Sequence, residues 1–309
     1  MVQAVTQSSR TRGRGRVWFL LPAFLLYTVF MVYPLLSALA DSFWGWEGTA
    51  RRGFAGADNF TSLFTTFPLN RQLGPAFWHT IAFFLGTMVV QNTFGLLIAV
   101  LLVELPAARR FLRTVYTVPY LIGGLVVGYL WSLLLSPAFG PLNAGLHAAG
   151  LGSLARPWLG DPATALPVVI LVNAWQYLGF PVLLFGAALA GLPPEYGEAA
   201  RVDGANARQR FFKVTLPMLR PAIGVVTILT FIGSMNTFEL VYSLEGAQGN
   251  QPTGPGGATD VLGLIFYRVA FQEGGSNAIG LSSALAVLLF VFTFGIAVGA
   301  NRIVRRRAA

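Results

Sequence analysis

The chain has 309 residues, of which 55% are hydrophobic and only 11% are charged, and its mean hydropathy is +0.63. Soluble domains carry about 25% charged residues, so this composition is typical of a membrane protein. The chain has no cysteine, which excludes disulfides, thiolate nucleophiles and cysteine-based zinc sites. Its two histidines, His79 and His147, are far apart in the sequence and indicate neither a metal site nor a catalytic triad.

Six apolar stretches are long enough to cross a bilayer, which takes about 20 residues per helix. They cover residues 17–40, 76–103, 111–135, 164–190, 222–244 and 278–300. None alternates as a membrane β-strand does. The sequence therefore predicts an all-α integral membrane protein with a basic N-terminal tail over 1–16, a membrane domain over 17–301 and a basic tail over 302–309.

Four prolines interrupt these stretches, at positions 22, 34, 119 and 181. Such interruptions are tolerated where neighbouring helices or water satisfy the freed backbone groups. Pro181 has no N–H to donate to the carbonyl of Tyr177, so we expect the fourth helix to bend there.

The basic residues are distributed unequally between the two sides of the predicted membrane domain. Of the 21 Lys and Arg, sixteen lie in both tails and in the loops after the second and fourth spans. The other side has five: Arg51, Arg52, Arg71, Arg156 and Arg268. The positive-inside rule makes the first side, and thus both termini, cytoplasmic. This distribution explains the net charge of +9 without nucleic-acid binding.

The first apolar stretch ends in "SALA", Ser37 to Ala40, which resembles a signal-peptide cleavage site. A signal core has about 7–15 apolar residues, and this run is longer, so an uncleaved first helix is favoured.

A charged segment over residues 191–218 separates the fourth and fifth spans. Pro193 and Pro194 can open a helix, and Glu195 and Glu198 near its start complement the helix dipole. Gly204 suits a left-handed helix exit, and Asn206 is a candidate N-cap for a second helix. The second helix would pack Ala207, Phe211 and Val214 on one face. The residues alone fit either an ordinary basic loop or a docking surface for a partner.

The pattern Glu198-Ala199-Ala200, then Gly204, then Val214 to Pro217 resembles the EAA loop of binding-protein-dependent ABC importer permeases, with Val214 where Ile is usual. Further stretches resemble the maltose-type carbohydrate branch of that family, at residues 54–64, 113–124, 139–146, 191–205 and 267–271. The resemblance covers nearly the whole chain beyond about residue 17.

The resemblance implies a type I ABC importer permease fold in a prokaryotic plasma membrane, with this chain as the first-type half of a heterodimer. The implied partners are a second homologous permease, a cytoplasmic ATPase dimer and an extracytoplasmic solute-binding protein. Residues 191–218 would form the coupling helix. Its implied ATPase-coupling residues are Glu198, which would pair with an ATPase arginine, Ala199, Ala200, Arg201, Asp203, Gly204, Ala205, Leu216 and Pro217.

The chain has no phosphate-binding loop of the form G-x-x-x-x-G-K-[ST]. Its one lysine, Lys213, follows Phe211-Phe212 rather than a glycine loop. We therefore expect a transport subunit that is not an enzyme and binds no cofactor, with ATP and Mg²⁺ on the partner ATPase.

Polar residues inside the spans suggest where a solute would pass. The candidates are Ser234, Asn236, Thr237 and Glu239 in the fifth span and Asn173, Trp175, Gln176 and Tyr177 in the fourth. Hydroxyl and amide groups can bind sugar hydroxyls, and aromatic rings can stack on sugars. The same residues could instead join helices or anchor the interface. Gln91 and Asn92 in the second span are weaker candidates for the pathway, and contacts between helices are favoured for them.

The expected substrate is a sugar, an oligosaccharide or a sugar-like solute such as glycerol phosphate. Two alternatives remain open. An ion-coupled secondary transporter usually has paired repeats and intramembrane ionisable relays, whereas here Glu239 stands alone. An ABC permease for a non-sugar solute would share the coupling loop.

Overall fold

The computed structural model describes residues 12–104, 109–246, 253–273 and 275–308. Residues 1–11 of the predicted N-terminal tail and residue 309 of the C-terminal tail lie outside this description. The elements in chain order are α1 (Arg12–Tyr27), α2 (Tyr33–Asp41), β1 (Trp44–Glu47), β2 (Ala50–Phe54), α3 (Asp58–Thr65), α4 (Leu69–Thr87), α5 (Thr93–Glu104), α6 (Arg109–Leu121), α7 (Gly124–Leu134), α8 (Pro141–Ala148), α9 (Pro162–Gln176), α10 (Gly179–Ala190), α11 (Pro194–Val202), α12 (Ala207–Arg210), α13 (Leu216–Met218), α14 (Arg220–Met235), α15 (Glu239–Glu245), α16 (Leu262–Arg268) and α17 (Ala278–Ala308).

Short π-helical turns connect several of these helices without a loop. They cover Thr28–Val32 between α1 and α2, Met88–Asn92 between α4 and α5, Phe211–Thr215 between α12 and α13, and Val269–Glu273 after α16. Three 3₁₀ turns lie at Gly152–Leu154, Pro255–Gly257 and Gly275–Asn277.

Within the described ranges, three helical segments are long and apolar enough to cross a membrane individually. They are Phe19–Asp41, Leu69–Val103 and Gly275–Arg302. Three bent pairs add one span each when a pair counts as one crossing: Thr114–Leu121 with Gly124–Leu134, Pro162–Gln176 with Gly179–Ala190, and Ala207–Met218 with Arg220–Met235. By length and composition, the described residues thus provide up to six spans, three of them bent, and the fifth of these pairs residues 207–218 with 220–235 rather than covering the predicted 222–244.

The bends arise from local sequence features and are stabilised by residues that are distant in the sequence. The third span turns by 106° between Leu121 and Gly124, where the carbonyl oxygen of Ile122 accepts a 2.9 Å hydrogen bond from Gln176 Nε2. The fourth span bends by 50° between α9 and α10. Pro181 lies in the first turn of α10, as the missing donor predicts, and Tyr177 O accepts from Phe180 N instead.

The fifth span corrects the sequence-based prediction of a continuous helix over 222–244. Helix α14 ends at Met235, and α15 begins only at Glu239. The break is held by a close approach of α16, since a Cβ on Gly263 would lie 2.6 Å from the carbonyl oxygen of Thr237. A side chain at position 263 would therefore push the two segments apart.

The first span lies at the side of the bundle, with none of its apolar window buried inside the chain. A network of buried and half-buried amides ties the C-terminal end of the first span to the sixth span. Asn59 Nδ2 donates to the carbonyl oxygens of Ser42 and Trp44, at 2.8 and 2.9 Å, and Asn59 Oδ1 accepts from Asn277 Nδ2 at 2.8 Å. Asn277 Oδ1 in turn accepts from the backbone of Trp46.

A buried ion pair fixes the segment before the sixth span. Arg268 is fully buried, and its two terminal nitrogens each donate to one oxygen of Asp260 at 2.7 Å. The same guanidinium also reaches Thr253 and, across to α4, Gln72. Such a bidentate pair is geometrically specific, so this segment is held firmly against the second span.

Candidate functional site

The segment between the fourth and fifth spans forms the predicted helix, glycine turn and second helix. Pro194 opens α11 and Glu195 lies in its first turn. The chain reverses at Gly204, whose φ is +79°, and Ala205 N donates to Ala200 O at 2.9 Å. Glycine is favoured there because most L-residues resist this conformation.

The second helix begins with a capping box that Asn206 and Gln209 form together. Asn206 Oδ1 accepts from Gln209 N, and Gln209 Oε1 accepts from Asn206 N, each at 2.9 Å. The π turn that follows changes the angular step between residues. Phe211 and Val214 are therefore half-buried as expected, but Ala207 is exposed, which corrects the predicted shared face.

The first of these helices, α11, has an unusual exposure for a helix in a folded protein. None of its nine residues is buried, and Val202 at its end is 88% exposed. The predicted coupling residues Glu198, Ala199, Arg201, Asp203 and Gly204 are all exposed, and Ala200, Ala205, Leu216 and Pro217 are half-buried. The exposed set lies on α11 and the turn that follows it, while Leu216 and Pro217 lie in α13, next to the start of α14.

A cavity of about 380 Å³ lies between the second, third, fourth and fifth spans and α15. Its lining among the described residues is Phe83, Thr87, Gln91, Tyr120, Asn173, Tyr177, Phe180, Leu229, Thr230, Gly233, Ser234, Asn236, Thr237, Phe238, Glu239 and Leu240. Hydroxyl, amide and aromatic groups dominate this wall, and its one charged member is Glu239. Such a mixture can bind a polyhydroxylated solute through hydrogen bonds and ring contacts.

The break in the fifth span brings the polar residues of that span into the cavity. Asn236 and Thr237 lie in the non-helical break, and their side chains donate to the carbonyl oxygens of Ile232 and Gly233, at 2.8 and 3.0 Å. Ser234 Oγ donates to Thr230 O at 2.9 Å. The freed carbonyls at the end of α14 thus have partners, which stabilises the break.

From the fourth span, Asn173 and Tyr177 line the cavity, since they lie one helical turn apart. Trp175 and Gln176 do not line this cavity, although the sequence analysis grouped them with Asn173 and Tyr177. The Trp175 ring packs edge-on against Trp131 at 5.4 Å. Gln176 is buried and uses its amide nitrogen to satisfy the bend in the third span.

The second span contributes one cavity residue that the sequence analysis missed, Thr87, and one that it gave as a weaker candidate, Gln91. Thr87 and Gln91 line the cavity, with Asn173 Nδ2 3.5 Å from Thr87 Oγ1. Gln91 lies on the π turn, a feature often found at functional sites. Asn92 faces away and exchanges hydrogen bonds with Thr230 at 3.2 and 3.3 Å, as the helix–helix interpretation predicts. The i, i+4 spacing of Thr87 and Gln91 places both side chains on one face of the helix, and this spacing was the sequence signal that could have identified Thr87.

No metal centre is visible in the described part of the chain, where no group of three or more His, Asp or Glu side chains comes together.

Comparisons with known proteins place this architecture. A family model described as "Binding-protein-dependent transport system inner membrane component" matches residues 91–308. The chain is 31% identical to YurN, a probable ABC transporter permease protein of Bacillus subtilis (strain 168), over 90% of this chain and 91% of YurN. It is also 31% identical to MsmF, a multiple sugar-binding transport system permease protein of Streptococcus mutans, over 88% of this chain and 89% of MsmF.

Among solved structures, the chain matches a bacterial alginate ABC transporter in complex with an alginate pentasaccharide-bound periplasmic protein. The TM-score is 0.78 at 25% identity, covering 96% of this chain and 95% of that chain. The family match spans well over half of the sequence and includes the coupling segment, and the structural match extends over nearly all of it. The chain therefore belongs to the family of binding-protein-dependent transport system inner membrane components and has the fold of a type I ABC importer permease.

Proposed function

We propose that this chain is the permease subunit of an ATP-driven importer that moves a sugar or oligosaccharide across a prokaryotic plasma membrane by alternating access. The observation that carries the proposal is the exposed coupling helix α11. A nine-residue helix is too short to be stable in water without packing, and none of its residues is buried within the chain. Its exposed surface fits a protein partner.

The roles within the coupling surface follow from chemistry and exposure. Glu198 is positioned to pair with an arginine of the ATPase, and the small side chain of Ala199 permits close approach. Arg201 and Asp203 flank the contact, and Gly204 makes the turn. Ala200 and Ala205 face partly inward, and Leu216 and Pro217 anchor the segment to the fifth span.

The cavity supports a sugar as the transported solute. Its lining supplies both donors and acceptors, through Gln91, Asn173, Ser234 and Asn236, and ring faces through Tyr177. The names of the relatives agree with this, since MsmF belongs to a multiple sugar-binding system and the matched structure to an alginate importer. These observations favour a sugar over a non-sugar solute.

The partners follow from the proposed mechanism. A cytoplasmic ATPase dimer would bind ATP and Mg²⁺, so this chain binds no cofactor, and both termini would be cytoplasmic. A second homologous permease would complete the pathway, and an extracytoplasmic solute-binding protein would deliver the sugar. The first span, with no buried apolar window, supports contact with the second permease and with lipid. ATP-driven closure of the ATPase dimer would draw the coupling helices together and open the cavity outward.

The test is purification of the tagged chain from its native membrane in mild detergent, followed by identification of the proteins that come with it. We expect an ATPase and a second permease. Glu198→Lys should lose the ATPase and keep the permease. Glu195→Lys, with the same charge change one turn earlier on α11, should keep both.

Recovery of the chain alone, with solute uptake driven only by an ion gradient, would overturn the proposal in favour of a secondary transporter. Equal loss of the ATPase in both lysine variants would show that Glu198 has no specific contact there.

A further inference from the structure

The cavity wall has an unbalanced charge. Its sixteen described residues include one carboxylate, Glu239, and no Lys, Arg or His. Within the described ranges, no basic side chain lies within ion-pair distance of Glu239, whose side chain is exposed to the cavity. The wall therefore presents one negative charge among hydroxyl, amide and aromatic groups.

The position of this charge is fixed by close helix packing. Glu239 is the first residue of α15, which packs against α7 through two glycines. A Cβ on Gly128 would lie 1.9 Å from Ser243 Oγ, and a Cβ on Gly124 would lie 3.3 Å from the Cβ of Glu239. Ser243 Oγ also lies within hydrogen-bond distance of the carbonyl oxygens of Glu239 and Gly124, at 2.8 and 3.3 Å. The backbone that carries Glu239 therefore cannot move away from the cavity without separating the two helices.

We propose that Glu239 is a charge filter, so that the cavity takes neutral sugars and rejects anionic ones such as uronic acid oligosaccharides and sugar phosphates. Like charges repel more strongly as water leaves a site, and no cation in this wall compensates. A neutral sugar meets no such penalty, because the surrounding hydroxyl and amide groups match its own hydroxyls. This inference rests on the proposed function, because it assumes that the transported solute passes through this cavity.

This assignment separates the chain from its structural relative, whose known solute, alginate, is an acidic polysaccharide. The shared fold therefore does not carry the charge preference, which depends on individual side chains of the wall.

The charge filter can be tested without knowing the substrate, because the chain has no native cysteine. Asn236→Cys places a thiol on the same wall, with Thr237→Cys as a second reporter should the first disturb the end of α14. The full chain in membrane vesicles is labelled with a cationic trimethylammonium methanethiosulfonate and with an anionic sulfonate methanethiosulfonate. The ratio of the two rates is normalised to that of 2-mercaptoethanol in the same buffer.

The negative charge of Glu239 attracts the cationic reagent and repels the anionic one. We therefore expect the normalised ratio of labelling rates to favour the cationic reagent by about tenfold at low salt. Glu239→Gln should bring the ratio close to one. Glu245→Gln, on the same helix but outside the lining, should leave it unchanged. Raising the salt from about 10 mM to about 150 mM shortens the Debye length from about 30 to about 8 Å and should weaken the preference.

An unchanged ratio in Glu239→Gln, or an equal fall in Glu245→Gln, would overturn the proposal. The second arm measures uptake by the complete complex of a neutral disaccharide and of a galacturonate disaccharide. Uptake of the galacturonate by the wild-type complex at the neutral rate would overturn the substrate class even if the labelling ratio behaves as expected. The labelling result does not require transport, so failure of the charge filter and failure of the importer function are distinguishable.

Discussion

Replacing Gly204 with valine tests whether the proposed coupling turn needs a residue that adopts the left-handed backbone conformation. The residue has φ +79°, and a Cβ built there meets no atom within 4 Å, so the Cβ itself introduces no close contact within the chain. Its cost is that of holding an L-residue in the left-handed conformation, about 1–2 kcal/mol and more for a β-branched side chain. A shift of 1–2 kcal/mol changes a two-state population about 5- to 30-fold.

We therefore expect Gly204→Val to insert into the membrane normally but to lose ATP-driven uptake, because the exposed helix no longer leaves the turn at the right angle. Gly204→Asn should lose less uptake than Gly204→Val, because asparagine tolerates this conformation. The assay measures uptake into vesicles together with the amount of ATPase that copurifies with the chain.

Gly197→Ala is the matched control. It adds the same Cβ in the same segment, also into open space, but at a helical position where alanine is favoured. We expect normal uptake from it. Normal uptake by Gly204→Val would refute the coupling assignment, and an equal loss in Gly197→Ala would show that the turn conformation is not the cause.

Two further predictions concern the segments that flank the sixth span and the turn before it. In Gly280→Ala the new Cβ would lie 2.5 Å from Asn277 Oδ1 and 2.9 Å from Asn59 Nδ2, so we expect a loss of about 1–3 kcal/mol of stability, measured as a lower melting temperature in detergent. An unchanged melting temperature would contradict the tight amide network. Asp260→Ala leaves the fully buried Arg268 charge without its carboxylate and should cost about 3–5 kcal/mol. Replacing both members with leucine and methionine should recover much of this loss, and no recovery would contradict the burial argument.

The coupling segment was predictable from sequence because its determinants are local. Pro194 fixes the start of a helix, Gly204 supplies the positive φ, and Asn206 caps the helix that follows. Each of these preferences acts over a few residues, so neither the bundle nor a partner is needed to specify them.

The breaks in the spans were less predictable, because contacts between distant residues stabilise them. Hydropathy identifies an apolar stretch but not the place where its backbone hydrogen bonds can be interrupted. The bend after α6 depends on Gln176, 54 positions away from Ile122. The end of α14 depends on Gly263, whose missing side chain lets α16 reach Thr237. No periodicity within the third or the fifth span indicates these distant partners.

The cavity lining was only partly predictable, because it too depends on contacts between residues that are distant in the sequence. Asn173 and Tyr177 were identified correctly as neighbours of the polar residues in the fifth span, yet Trp175 and Gln176 between them face other helices. Thr87 was missed because a threonine in an apolar span usually bonds its own helix and carries no functional signal. The rotation of each helix about its own axis decides which of its side chains line the cavity. The bends in the spans set that rotation.

The second helix of the charged segment and the cavity wall lie on one nearly continuous run of helix, and the Gly204 turn joins α11 to the start of that run. From Asn206 the chain passes through α12, the π turn and α13, and reaches α14 with a 65° bend and no loop. Leu219 lies at this corner and is 1% exposed, so the bend is packed into the bundle. The same helix α14 then carries Thr230 and Ser234 to the cavity. Because helices are stiff, a displacement of the exposed segment in the proposed cycle would reach the cavity as a rotation of α14 about the buried corner. This arrangement explains why a charged loop and a polar cavity at opposite ends of one span could belong to a single mechanism.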